Sequence, residues 1–208
     1  MPDDAEDAED PAEAAEPPLS DRLEAWLTSD HPKTVGDLID TFGAQSFALL
    51  FVVLMAFPAL PLPTGGLSHV LEILTMLLAL EMVAGRREVW VPKRWQRREL
   101  KGVSGPRFRH LLLKRIRWFE RFSRPRWSHL LELRATGMVL GLVVLLLALA
   151  AFLSPPFSGL DTLPSLGVVV LGLGILFGDA AIAAIGAGIG AIGIVVVIGL
   201  GSVIFQLV

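Results

Sequence analysis

The sequence predicts an all-α, polytopic membrane protein, with two Pro/Gly-broken helical hairpins, a basic amphipathic connector between them and a Gly-rich C-terminal span. Two observations carry that reading: charge is segregated along the chain, and two long apolar stretches are each interrupted by proline and glycine. Sixteen of the eighteen Lys and Arg lie between Arg86 and Arg134, and eleven of the twenty-one acids lie in the first thirty residues. Residues 35–85 and 135–208 are left with six acids and no base. A soluble domain spreads roughly 25% charged residues over its surface, whereas this chain has 19%, with 53% hydrophobic residues and a mean hydropathy of +0.60. Stretches so poor in charge need lipid around them, which excludes a soluble globular enzyme.

The net charge of −3 averages an acidic start with a basic middle and says little about partners. With no cysteine in the chain, disulfide frameworks and thiolate metal sites are excluded. Met1-Pro2-Asp3-Asp4 offers neither a positive n-region nor an apolar run, so no secretory signal is expected and insertion depends on the internal segments. Residues 1–18 are acidic, Ala-rich and Pro-punctuated, and too polar to offset their ordering entropy, so a disordered tail is expected. Residues 19–46 read as two short amphipathic helices docked at the interface. Ser20 caps the first, whose stripe is Leu19, Leu23, Trp26 and Leu27. Thr34-Val35-Gly36-Asp37 opens the second as a capping box with Asp in place of Glu, and Leu38, Ile39 and Phe42 form its apolar face.

Residues 47–85 form the first broken-helix hairpin. Phe47–Leu60 is about 21 Å long as helix, short of a hydrocarbon core of about 30 Å. Pro58, Pro61, Pro63 and Gly65 break it, and Leu67–Ala84 resumes for about 27 Å until Gly85-Arg86-Arg87. Proline removes a donor and clashes with the preceding turn. A backbone break at membrane depth survives only inside protein or against a wet cavity.

Residues 86–134 are the connector. Pro106 opens a helix to Ser123 with the apolar stripe Phe108, Leu111, Leu112, Ile116, Phe119 and Phe122. Arg107, Arg109, Lys114, Arg117 and Arg121 on its other face are placed to contact anionic lipid headgroups. Trp90, Trp95, Trp118 and Trp127 fit an interfacial belt, and the positive-inside rule puts the connector in the cytoplasm. No recognition fold surrounds the basic residues, so nucleic acid is not an expected partner.

The pattern then repeats over residues 135–178, the second broken-helix hairpin, where Pro155, Pro156 and Gly159 interrupt two apolar runs that end at Gly178-Asp179. An offset of 94 sets Pro61 on Pro155 and Gly65 on Gly159; an offset of 93 sets Leu67 on Leu160, Ser68 on Asp161 and Gly85 on Gly178. Two such units point to an internal duplication. Both hairpins returning to the cytoplasm gives parallel repeats; a single kinked crossing by 47–84 would put the N-terminus outside and invert them. Residues 179–208 form the Gly-rich C-terminal transmembrane segment, where Gly186 and Gly190 make a GxxxG close-packing signal.

Phe57-Pro58-Ala59-Leu60-Pro61-Leu62-Pro63, the Gly85-Arg86-Arg87 helix end, Trp90-Val91-Pro92, Pro155-Pro156-Phe157 and Asp161-Thr162-Leu163-Pro164 together resemble the ExoD (exopolysaccharide synthesis) family from about Leu19 to the C-terminus. The resemblance implies a multi-pass protein of the bacterial inner membrane linked to exopolysaccharide production. It carries over no catalytic motif.

The sequence contains no phosphate-binding loop, HExxH or GxSxG, and its four His are scattered, so neither an enzyme nor a metal or cofactor site is expected. The candidates are polar residues inside apolar runs, which are costly in a membrane and by default functional. Ser68, His69 and Glu72 follow the first knuckle; Asp161 and Thr162 follow the second. We expect the five to line one cavity, with Gly65 near Gly159. Bland roles compete: Ser68 and Asp161 as helix caps, His69 as a buried hydrogen-bonding group, Glu81 reaching headgroups, and Asp179 capping the last helix. The expected partners are the bilayer and anionic lipids, with a lipid-linked glycan to be handled or translocated. The alternative is a non-transporting scaffold that docks biosynthetic enzymes. The oligomeric state is not legible.

Overall fold

The computed structural model describes residues 19–29, 34–43, 45–60, 66–86, 88–97, 114, 117, 133–155 and 158–207. The acidic tail, most of the connector with Arg107, Arg109 and Arg121, and the knuckle residues Pro61, Pro63, Gly65 and Pro156 lie outside them. The described residues form helices and no strand: α1 (Leu19–Thr28), α2 (Val35–Phe42), α3 (Gln45–Met55), α4 (Gly66–Val83), α5 (Lys93–Gln96), α6 (Arg134–Leu153), α7 (Thr162–Leu176) and α8 (Ala180–Leu207). Three are long and apolar enough to cross a membrane: α4, α6 and the Ala180–Leu200 part of α8, with mean hydropathies of 1.6, 2.7 and 2.6. The apolar helices α3 and α7 are shorter. At 1.5 Å per residue α3 covers about 16 Å and α7 about 22 Å, neither enough for the hydrocarbon core.

Helices α4 and α6 run antiparallel. At one end the Arg134 guanidinium lies against Gly85, and Gly141 lets α6 close on Met82 and Val83; at the other, the rings of His69 and Phe152 are 5.2 Å apart. Helix α3 packs along α7, where Gly172 admits Val52 and Ala48. Phe51, Met55, Val144, Leu147, Ala148, Val168 and Leu171 fill the space between these pairs almost without exposure. Rows of large apolar side chains face outward instead, such as Val70, Leu77 and Leu80 on α4 and Val139, Leu142, Leu146 and Leu149 on α6. A helix bundle that is apolar inside and out is made for lipid.

Glycine sets the α7–α8 contact. A Cβ at Gly174 would come within 2.2 Å of the Ala183 amide nitrogen, one at Gly186 within 2.2 Å of the Leu171 nitrogen, and one at Gly167 within 2.5 Å of the Gly190 Cα. The antiparallel backbones therefore touch directly, the close approach that small residues permit between membrane helices. Gly186 and Gly190 both lie in this contact.

At the end that carries Arg86 and Arg134, α1 and α2 make a small core of their own from Leu23, Trp26, Leu27, Leu38 and Phe42, joined by Leu49 and Phe177. Thr34 caps α2 by accepting from the Asp37 amide at 3.1 Å. The Asp37 carboxylate does not close the reciprocal half of a capping box; it accepts from Trp26 Nε1 at 2.7 Å and ties α2 to α1. Arg22 donates to the Thr41 carbonyl at 2.7 Å and to Gln45 Oε1 at 3.2 Å, satisfying a C-terminal carbonyl of α2. From the connector, Lys114 and Arg117 are described and exposed, and Arg117 pairs with Glu24 of α1. Trp90 is exposed with the Arg86 guanidinium over its ring at 5.8 Å.

Candidate functional site

The candidate site sits at the other end, where α4 and α7 begin. The chain turns after α3 with the Ala59 amide bonded to Met55 O at 3.0 Å and the Leu60 amide to Phe57 O at 3.1 Å. Pro58 is buried in this turn. The second interruption is held by Ser158, whose hydroxyl donates to Pro155 O at 2.6 Å and accepts from the Leu160 amide at 3.2 Å. Pro155 and Gly159 are exposed there. Each break thus satisfies part of its own backbone.

The side chains that follow are less well served. Ser68 and Glu72 are buried, while His69, Asp161 and Thr162 are half-buried. His69 Nδ1 lies 3.4 Å from Glu72 Oε2, near enough for an ion pair but outside hydrogen-bond geometry. Asp161 stands at the start of α7, at the same end of the bundle as His69 and Glu72. Both Glu72 oxygens, His69 Nδ1, Thr162 Oγ1 and Ser165 Oγ are buried and have no hydrogen-bond partner. Native proteins satisfy the great majority of buried polar atoms, so five at the starts of two helices need an explanation. Their donors and acceptors suit a polar ligand.

The capping alternatives divide. Asp179 does cap α8, its Oδ1 accepting from the amides of Ala181 at 2.9 Å and Ile182 at 3.3 Å. Asp161 occupies the cap position of α7 but has helical dihedrals (φ −67, ψ −22) and makes no side-chain cap bond. Its carboxylate remains available to the site. Ser68 lies inside α4, past its first residue Gly66, so it is not the cap either. Glu81 accepts from the Trp90 amide at 2.8 Å and belongs to the opposite end.

Two helix ends bear on the relation between the halves. Gly85 (φ 77) and Gly178 (φ 66) both close a helix in the left-handed region. After α4, the Gly85 amide bonds Met82 O and the Arg86 amide bonds Glu81 O; after α7, the Gly178 amide bonds Ile175 O and the Asp179 amide bonds Gly174 O. These are the paired bonds of a Schellman ending, repeated at an offset of 93. On the same offset His69 corresponds to Thr162 and Glu72 to Ser165, and all four carry a buried polar atom without a partner.

A family model described as "Exopolysaccharide synthesis, ExoD" matches residues 19–199. The chain belongs to the ExoD family. An uncharacterized protein of Synechocystis sp. is 28% identical over 140 residues, which cover 67% of this chain and 65% of that protein. No solved structure matches. The ExoD-family match includes both interruptions and every residue of the site. The sequence reading missed Ser165, since a lone hydroxyl in an apolar helix is unremarkable by itself. Its signal was the 93-residue offset, which sets it on Glu72.

Proposed function

We propose that this ExoD-family protein binds a lipid-linked glycan intermediate of exopolysaccharide synthesis, with the sugar in the polar pocket between the starts of α4 and α7. The carrying observation is the set of buried side-chain polar atoms there that lack hydrogen-bond partners. Carboxylates, hydroxyls and an imidazole complement sugar hydroxyls, as acceptors and donors in a confined space. The two carboxylates hold the phosphate of such a carrier away from the pocket floor, toward the exposed second interruption. The outward rows of Leu, Ile and Val suit the lipid tail.

The pocket is read as lying at membrane depth. Pro164 of α7 packs against Gly193 of α8, and α8 runs on to Leu207, about another 21 Å of helix. Bilayer therefore continues beyond the interruptions, as re-entrant hairpins require. The matching Schellman ends support two copies of one helix–knuckle–helix unit, with the site at their meeting point. The Lys and Arg of the connector support reading the opposite end as the cytoplasmic one, in the bacterial inner membrane.

The scaffold reading draws its support from the other end, where the Arg117–Glu24 pair joins the connector to the α1–α2 core. Lipids copurified with the full-length protein in lipid nanodiscs separate the two. Mass spectrometry should find polyprenyl-linked sugars enriched with the wild type and depleted with Glu72→Leu. The same bulk phospholipids in both samples would reject the glycan reading and leave the scaffold.

A further inference from the structure

We propose that His69, Glu72 and Asp161 form a proton-loading site that fills and empties from the knuckle end and is closed toward the basic end. Only its use, neutralising the pocket around an uncharged sugar, rests on the glycan reading above.

His69 and Glu72 face each other at the start of α4 and Asp161 opens α7 at the same end, while among the described residues the surrounding elements bring no fixed cation. Helix α3 has no titratable residue; α6 presents Phe152 to His69 and carries its one ionisable group, Arg134, at the far end; α7 and α8 contain none. Among the described residues no group of three His or carboxylates is arranged to hold a metal ion. An uncompensated charge in such surroundings costs several kcal/mol per ion, and the proton is the counter-ion that these residues can take up themselves. His69 Nδ1 and Glu72 Oε2 are 3.4 Å apart, so a small side-chain rotation or one bridging water brings them into the hydrogen bond along which a proton passes. The balance is simple: a proton from water enters on Asp161 or His69, moves to Glu72, and leaves by the same route.

Burial orders that route. Asp161 is half-buried, the His69 side chain is 30% exposed and the Glu72 side chain 0%. Beyond Glu72 the same face of α4 continues with Thr75, whose hydroxyl is spent on Leu71 O at 2.9 Å, and then with buried Ala79 and Met82. No polar side chain carries the path onward along this face. The site loads and unloads; it does not conduct.

Infrared difference spectra of the full-length protein in lipid nanodiscs, titrated between about pH 5 and 9, test this without any glycan. The wild type should show the carbonyl band of a water-poor neutral carboxylic acid growing as the pH falls. The band should vanish in Glu72→Gln, and its midpoint should move by about one pH unit or more in Asp161→Asn or His69→Gln, because interacting sites titrate together. No such band in the wild type overturns the proposal whatever the variants do, and so does an unchanged band in Glu72→Gln. Loss of the band leaves the lipid copurification result untouched, so the two readings fail separately.

Discussion

Replacing Gly186 by Leu should destabilise the fold markedly, whereas the same replacement at Gly188, two residues away, should be silent. A Cβ at Gly186 already meets the backbone of Leu171 at 2.2 Å, and backbone cannot swing aside; at Gly188 nothing lies within 4 Å. Overpacking typically costs 1–3 kcal/mol where side chains can adjust, so a clash with backbone should reach about 3 kcal/mol or more. For a chain of this size that corresponds to a fall of about 10 °C in the unfolding temperature. Thermal scans of the detergent-solubilised protein, monitored by size-exclusion chromatography, read both variants. Equal behaviour of the two would mean that α7 and α8 do not cross by their glycines.

Glu72→Leu should separate stability from function in opposite directions. The carboxyl group is fully buried and lacks a hydrogen-bond partner, and Leu has a similar volume. Removing a poorly compensated buried charge is neutral or stabilising, so the unfolding temperature should hold or rise. Exopolysaccharide output of a deletion strain carrying the variant should nevertheless fall at least about tenfold, as expected for an intramembrane ionisable group kept for function. Normal output with normal insertion would assign the pocket no part in the process and favour the scaffold.

Much of this arrangement could be read from residue order. The segregation of charge located the apolar segments, and prolines with glycines located their interruptions. Gly85 and Gly178 both mark helix ends, where the apolar runs stop in the sequence. Asp179 and Thr34 are caps because their surroundings leave a short oxygen-bearing side chain little else to do. Other features depend on tertiary placement. Asp161 looks like a cap in sequence, but it has helical dihedrals and makes no side-chain cap bond. Periodicity showed that α1 and α2 each have an apolar face; it could not show that these faces meet each other and also take in Leu49 and Phe177. Ser165 carries no local signal, and its importance comes from lying one turn beyond Asp161, on the amide that bonds the Asp161 carbonyl at 3.1 Å.

With a polar pocket between the starts of α4 and α7, open at the knuckle end of a membrane-embedded bundle, position 162 should be reachable from water at that end. Because the natural sequence has no cysteine, a single thiol placed by Thr162→Cys reports on that pocket against a clean background. A small membrane-impermeant thiol reagent should label it when supplied from the face opposite the basic connector. The thiol of Leu166→Cys, on the outward face of α7, should stay unlabelled in lipid. Failure to label position 162 from either face, or labelling from the connector side, would contradict the account.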